Sequence, residues 1–415
     1  MLNLEDINSI VKSKSLLKEN LKSSFDLPLR PDGAPYVYLS GHSLGPLPRL
    51  AREFINNELD CWAKYGVRGH FKDGENWVNA TRPLVASLSR LVGASVDEVA
   101  VMNGLTVNLH LMLTSFYIPK KQRCKILVAE DAFPSDIFAV KSQIALRGLD
   151  PAECLIQVKN SRIGSFSEAV VDVIKQQGEE IAVLLLEGVN YLTGEVLDIE
   201  NICKVAHAYG IVVGLDLAHA IGNIPLNLQN WKVDFAVWCS YKYLNSGPGG
   251  IGGCYVHKNH HNSVFSRCEG WWGCSIEARF SNAKFYPDLG ANGWQLSNPP
   301  IFQIAALRAS LKIFDETQFT NLRNQSINLV SFAKKELENY LENKALIITP
   351  SNSERCGNQI SIRLKHNDLD IEETLFNRGI ICDWRAPDIM RVSFNPLYND
   401  FSDINEFVYQ LAEVI

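Results

Sequence analysis

From about residue 97 onward the chain alternates short, continuously apolar runs with segments of helical period, and few folds accept that pattern. The apolar runs cover 98–102, 125–129, 155–158, 181–186, 211–215, 235–239 and 253–256. Between most of them lie amphipathic stretches, such as 198–209, long enough for a crossover helix. A strand that is apolar along its whole length must be covered on both faces, whereas a half-exposed strand alternates with period two. The pattern therefore predicts an α/β fold built on a mainly parallel, seven-stranded sheet. Ligands in such folds bind outside the carboxyl ends of the strands, so the residues just after each run matter most.

The last part of the chain reads differently. After Pro299-Pro300 a long helical pattern runs from Ile304 to about Asn343. Strand-like runs follow at 345–348, 359–364, 379–383 and 390–394, and a helix closes the chain over 403–414. This predicts a large domain over 49–300 and a smaller α+β C-terminal domain over 301–415. Residues 1–48 are expected to pack on the small domain, because Leu39-Ser40-Gly41-His42-Ser43-Leu44-Gly45-Pro46 reads as a loop.

Composition removes several function classes. A net charge of −6 gives no basic field for a phosphate backbone, so nucleic acid is not an expected partner. The longest apolar run, Ile181 to Leu186, stops at Glu187, far short of the ~18 residues of a membrane helix. No membrane association is expected, and Met1-Leu2-Asn3-Leu4-Glu5-Asp6 does not open a secretory signal. There are 10 cysteines, but no two are separated by only two residues, so the spacing of zinc or redox thiol pairs is absent. No metal is called for, and the thiols read as reduced residues of a cytoplasmic protein.

The chemistry concentrates after two successive runs. Ile211-Val212-Val213-Gly214-Leu215 ends in Asp216, followed by Leu217-Ala218-His219. The next run ends in Ser240-Tyr241-Lys242-Tyr243, with Gly247-Pro248-Gly249-Gly250 beyond it. A carboxylate and a lysine at neighbouring strand ends suit pyridoxal phosphate: the amine forms a Schiff base with its aldehyde, and the acid keeps its pyridine nitrogen protonated. An isolated pair of this kind is more often two surface residues. Here Asp216 follows a run that should bury it, and a buried carboxylate needs a cationic partner or loses its charge.

A phosphate group would be expected at a helix N-terminus. Met102-Asn103-Gly104-Leu105-Thr106 offers a strand, a glycine turn and a helix start, although a threonine there can be only a cap. After the next run, Ala132-Phe133-Pro134-Ser135-Asp136 places an aromatic ring and two polar groups at another helix start.

Taken together, Asp216-Leu217-Ala218-His219, Trp238-Cys239-Ser240-Tyr241-Lys242-Tyr243-Leu244-Asn245, Phe133-Pro134-Ser135-Asp136, Trp271-Trp272-Gly273 and Ser297-Asn298-Pro299-Pro300 resemble the kynureninase family. That family belongs to the fold type I, aspartate-aminotransferase-like pyridoxal-phosphate enzymes, and the resemblance runs from about Tyr38 to the C-terminus. It implies that Lys242 holds the cofactor, Asp216 pairs with the pyridine nitrogen and Phe133 stacks on the ring. It also implies that Thr106 and the Leu105 backbone hold the phosphate with Tyr241, and that Ser135, Asp136 and His219 contact the cofactor. Trp271 and Asn298 match residues contributed across a dimer, which implies a homodimer with shared active sites. Arg391 matches the arginine that clamps the substrate α-carboxylate, a task that suits a planar guanidinium, with Arg385 as runner-up. His42, Ser297, Asn298 and Trp271 join it as substrate-binding candidates, with Trp272 in an aryl-lined pocket.

The implied reaction is hydrolytic Cβ–Cγ cleavage of L-kynurenine or 3-hydroxy-L-kynurenine to L-alanine and an anthranilate, with Lys242 and Tyr241 moving protons. The alternative is a related pyridoxal-phosphate lyase or hydrolase acting on a modified kynurenine or another β-substituted amino acid. A cysteine desulfurase is disfavoured, because 385–390 carries no thiol. The chain departs from the family's pattern in three places. Ser40-Gly41-His42-Ser43 stands where the family has Asp-Gly-Asn-Ser, and Glu187 where it has Ser or Thr. The vertebrate-type histidine that helps select 3-hydroxykynurenine is replaced around Val67, with His70 nearby. All three departures bear on the substrate and the ring environment rather than on Lys242.

Overall fold

The computed structural model describes residues 21–159, 165–263, 265–281, 284–341, 344–365 and 370–415. The reading of Met1 to Asp6 and the end of the helical pattern at Asn343 lie outside these residues. Three short strands come first: β1 (Phe25–Asp26), β2 (Val37–Tyr38) and β3 (Leu47–Pro48). The seven apolar runs then form β4 (Val99–Val101), β5 (Lys125–Ala129), β6 (Leu155–Val158), β7 (Ile181–Glu187), β8 (Val212–Asp216), β9 (Phe235–Trp238) and β10 (Gly253–Val256). They build one sheet of order β4-β10-β9-β8-β7-β5-β6. The pairs from β9 through β6 are parallel, while β10 is antiparallel to β9 and β4. The closest approach within the sheet is at Gly214, where a Cβ would run into the Phe235 ring.

Successive residues of a strand point to opposite faces. Ile126, Val128, Val183 and Leu185 pack in one apolar cluster. Leu127, Ala129, Leu184 and Leu186 pack in the other. Both faces are dry, which is why the runs show no polar alternation.

The C-terminal part adds β11 (Ala345–Ile347), β12 (Gln359–Leu364), β13 (Ile380–Ile381), β14 (Asp383–Arg385) and β15 (Ile389–Ser393). Four of these make an antiparallel sheet of order β11-β12-β15-β14. Its core joins Ile360, Ile362, Met390 and Val392 to Leu329, Leu337, Phe407 and Leu411 of the covering helices. Two local readings change. The helix expected from Ile304 is two helices, Ile301–Glu316 and Phe319–Leu341, because Thr317 is extended (φ −119°, ψ 136°). The run 379–383 is divided: β13 pairs in parallel with β2, and β14 joins β15.

That division positions the N-terminal loop. Leu39 N–H donates to the Ile381 carbonyl, and the Leu39 carbonyl accepts from Ser393 N–H, both at 2.8 Å. A few residues later Gly45 N–H donates to the Tyr241 carbonyl at 2.7 Å. A Cβ at Gly45 would lie 2.5 Å from the Lys242 carbonyl oxygen, so glycine permits this approach. The loop therefore spans from the smaller sheet to the strand ends of the larger one. No helix among the described residues is long and apolar enough to cross a membrane.

Candidate active site

The parallel strands bring their carboxyl ends together, and the register sets Glu187 of β7 beside Asp216 of β8. Asp216 is buried, and one carboxylate oxygen accepts the Ala218 N–H at 2.6 Å. Lys242 leaves the turn after β9, with Nζ 3.1 Å from His219 Nε2 and 5.6 Å from the centroid of the Phe133 ring. Asp216, His219 and Lys242 line one cavity, together with Leu105, Thr106, Phe133, Ser135 and Tyr241.

Electrostatics single this cavity out. Burial raises the Asp216 carboxyl, and Lys242 opposes the shift. Asp136 lies against Asp216; burial and that neighbour hold its carboxyl well above the usual range. The two carboxyls therefore titrate as a pair, with Asp136 the more strongly raised of the two. Glu187 is pushed up to about 8 by burial, by Asp216 and by Asp131. Burial and Lys242 keep the His219 imidazole neutral, so Nε2 accepts from the Lys242 ammonium. Among the described residues, His219 Nδ1 and Asp136 Oδ1 are buried without a hydrogen-bond partner. Three buried carboxyls around one lysine leave the cavity short of positive charge, and two orphaned polar atoms await a polar ligand.

The other end of the cavity suits an anion. The helices Leu105–Phe116 and Pro134–Ala145 both begin here, and neither is capped by a side chain. Thr106 Oγ1 and Ser135 Oγ are 2.9 Å apart. Two uncapped helix starts present free N–H groups and the positive ends of two dipoles. Burial raises the Tyr241 phenol, which stays a proton donor.

Arg391 belongs to the small sheet. The register of β14 and β15 sets it opposite Asp383. The guanidinium is 1% exposed; Nε donates to Asp383 Oδ1 at 2.8 Å and Nη2 lies 2.7 Å from the same oxygen. Nη1 donates to the Tyr191 carbonyl at 2.8 Å. Arg385, more exposed, donates Nε and Nη2 to the two Asp383 oxygens at 3.1 Å each. Ser43 Oγ–H donates to Asp383 Oδ2 at 2.7 Å. Burial works against ionisation of Asp383, yet His42, Arg391 and Ser43 hold its carboxyl well below the usual range.

His42 lies between the two regions. It is fully buried, with Nε2 3.9 Å from Asp383 and its ring 6.5 Å from that of His219. Burial and Arg391 lower it to about 4, so the ring is neutral near pH 7. Neither ring nitrogen has a hydrogen-bond partner among the described residues.

Not every expected residue meets the cavity within one chain. Trp271 is 51% exposed, its ring edge-on to Phe280 at 5.6 Å, and Ser297 and Asn298 are exposed. Trp272 is buried beneath the Arg279 guanidinium. Sequence reading did not single out Tyr191, Ser43 or Asp383. A signal existed for Asp383: Ala386-Pro387-Asp388 marks a turn, and strands on either side of it place residue 383 opposite residue 391. Nothing local pointed to Tyr191, whose role comes from a carbonyl.

Comparison with known proteins decides the family. The chain is 46% identical to kynureninase from Koribacter versatilis over 396 residues, covering 94% of this chain and 93% of that one. The chain belongs to the kynureninase family. Residues 322–411 also match the family model described as the kynureninase C-terminal domain. The family's kynureninase from Myxococcus xanthus is likewise 46% identical (94% and 92% covered), and that from Monosiga brevicollis 43% (94% and 89%). Among solved structures, a C-DES variant with glycine linked covalently to its PLP cofactor superposes with a TM-score of 0.81 at 18% identity (94% and 99% covered). A cysteine desulfurase from Thermococcus onnurineus gives 0.75 at 16% (92% and 94%). At such identity the likeness is one of fold, and it places this kynureninase-family chain in fold type I.

Proposed function

We propose that the chain is a pyridoxal-phosphate-dependent kynureninase that hydrolyses the Cβ–Cγ bond of L-kynurenine or 3-hydroxy-L-kynurenine. The observation that carries this reading is the meeting of Lys242 and buried Asp216 in one cavity, in a chain 46% identical to a kynureninase. The residues fit the cofactor. Asp216 would pair with the pyridine nitrogen, Phe133 would cover one ring face, and the two helix starts at Thr106 and Ser135 would take the phosphate. His219 Nδ1 and Asp136 Oδ1 supply the remaining unpartnered polar atoms.

When bound, the cofactor withdraws electrons from the bonds at Cα of the substrate. The protein then positions and moves protons. Arg391 receives the α-carboxylate, and Lys242 Nζ takes the Cα proton and returns it. Tyr241, kept as a phenol by burial, donates toward the γ-carbonyl while water adds to that carbon. The Cβ–Cγ bond breaks with its electron pair left on Cβ, which is reprotonated, and the aromatic carboxylic acid departs. His42 is placed for the substrate end of the cavity.

Trp271, Ser297 and Asn298 fit a homodimer whose sites are shared. Exposed Phe280 and Phe71 extend the aromatic surface around Trp271, exposed Trp62 and Phe302 form a second aromatic pair, and patches of this kind mark interfaces. Ten free cysteines suit the reducing cytoplasm.

Purified protein incubated with pyridoxal phosphate should show the visible absorbance of a lysine-bound cofactor and convert kynurenine to anthranilate and alanine. Lys242→Ala should remove the band and lower turnover by about 10³-fold or more. A wild type that stays colourless defeats the proposal. Mixing inactive Lys242→Ala with inactive Asn298→Ala should restore part of the activity if sites are shared, and none if each chain is complete alone.

A further inference from the structure

One buried carboxyl touches both halves of the site. Glu187 Oε1 accepts the Phe133 N–H at 3.0 Å. Its Oε2 accepts the Asn190 side-chain amide at 2.9 Å and the Tyr191 N–H at 3.3 Å. Phe133 is the aromatic wall of the cofactor cavity. Tyr191 faces both ways: its ring stands edge-on to Phe133 at 5.5 Å, and its carbonyl receives Arg391 Nη1 at 2.8 Å and Gln359 Nε2 at 2.9 Å. The Arg391 guanidinium lies 5.8 Å from the centroid of the Tyr191 ring. Asn190 stiffens the link, because its Oδ1 accepts the N–H groups of Leu192 and Thr193 at 3.1 and 2.8 Å.

We propose that Glu187 is a positioning residue that fixes the substrate-carboxylate arginine relative to the cofactor ring, by holding Phe133 and Tyr191 through a single carboxylate. This inference rests on the reading of the cavity as a pyridoxal-phosphate site with Arg391 as its substrate clamp. All three partners of Glu187 are N–H donors, so only the ionised form satisfies them fully. The groups that act on Glu187 are Asp216 at the end of β8, Asp131 in the turn after β5 and Asp136 on the helix Pro134–Ala145, with Tyr191 on its own loop. The carboxyls disfavour its charge, and so does burial. A ring cation paired with Asp216 relieves that opposition and lets Glu187 grip its donors. Cofactor loading and the ordering of Tyr191 under Arg391 are then linked, and the linkage is reciprocal.

The test uses Glu187→Gln, which keeps the volume but offers an amide NH₂ to N–H donors, and Glu187→Ala. For Glu187→Gln the dissociation constant for pyridoxal phosphate should rise about tenfold, and KM for L-kynurenine about tenfold, while kcat at saturating cofactor changes less than about threefold. A residue needed only for folding would lower the yield of loaded protein and leave KM per loaded site unchanged. In the wild type, amide hydrogen exchange at Phe133 and Tyr191 should slow on adding pyridoxal phosphate, and this arm stands even if neither variant folds. Wild-type cofactor affinity and KM in Glu187→Gln, or exchange at Tyr191 indifferent to the cofactor, would overturn the proposal. The cofactor and exchange arms use no kynurenine, so a wild type that binds cofactor without cleaving kynurenine defeats the substrate assignment alone.

Discussion

Three buried carboxyl groups and one half-buried carboxyl group face the site, and their surroundings push them in opposite directions. At the strand ends of the large sheet Asp136, Asp216 and Glu187 are all raised, chiefly by burial, with Lys242 as the opposing cation at the aspartates. In the small sheet Asp383 is lowered, because Arg391, Ser43 and His42 surround it and Arg385 holds it from outside. The first region is unbalanced in its own charges, and a protonated ring nitrogen beside Asp216 would complete it. The second is balanced already, and an incoming carboxylate must compete with Asp383 for Arg391. Folding thus leaves the cofactor end waiting and the substrate end self-neutralised, which protects a buried arginine from standing unpaired.

The widest gap between the regions should appear on removing one charge from each. Asp383→Asn leaves Arg391 buried with its main counter-charge gone, and should destabilise the protein by about 3–5 kcal/mol in denaturant unfolding. Asp216→Asn in the cofactor-free protein should leave stability unchanged or slightly higher, since it removes a charge that burial disfavours, while weakening cofactor binding about a hundredfold. Equal losses of stability from the two substitutions would break the contrast.

A second difference lies in pH. The folded-state value of Glu187, about 8, is above its ordinary 4.5. The folded protein therefore holds this proton more tightly than the unfolded chain does. Cofactor-free stability should fall as pH rises from about 4.5 to about 8, by at most about 1.4 kcal/mol per pH unit for this one group. Asp383 has the opposite sign: its contribution is complete above about pH 4 and is lost only as acid titrates the folded carboxylate. The difference between wild-type and Glu187→Gln unfolding curves across pH 5–8 isolates the first slope. A flat difference would mean that Glu187 is already ionised without the cofactor.

The same contrast explains what could be read in advance. The large sheet was legible because each strand is buried on both faces, so its apolar runs carry a strong local signal, and Asp216 and Lys242 stand directly at their ends. Phe133 and Thr106 were legible for the same reason, each in the short turn and helix start that follows a run. The clamp was harder. Asp383 meets Arg391 only through the β14–β15 register, and Ser43 arrives from a loop some 340 residues away in the chain. Tyr191 contributes a carbonyl and the face of a ring, and any residue type brings a carbonyl. Glu187 was visible as a carboxylate in an awkward place, but its three N–H partners come from two separate turns.

His42 should give the smallest and most selective effect. It lies between the balanced and unbalanced regions, fully buried, neutral near pH 7, with both ring nitrogens unpartnered among the described residues. His42→Asn therefore removes no charge near pH 7 and costs the folded chain only its long contact with Asp383, 3.9 Å from Nε2. If the ring nitrogens serve the substrate, the ratio of kcat/KM for 3-hydroxykynurenine to that for kynurenine should shift by about three- to tenfold, because a site that hydrogen-bonds a substrate group discriminates by whether that bond can form. Cofactor affinity should stay within about twofold, since Asp216 and Lys242 keep their surroundings. An unchanged ratio with a lower melting temperature would instead assign His42 to packing, and would move selection between the two kynurenines toward the exposed residues Trp271, Ser297 and Asn298.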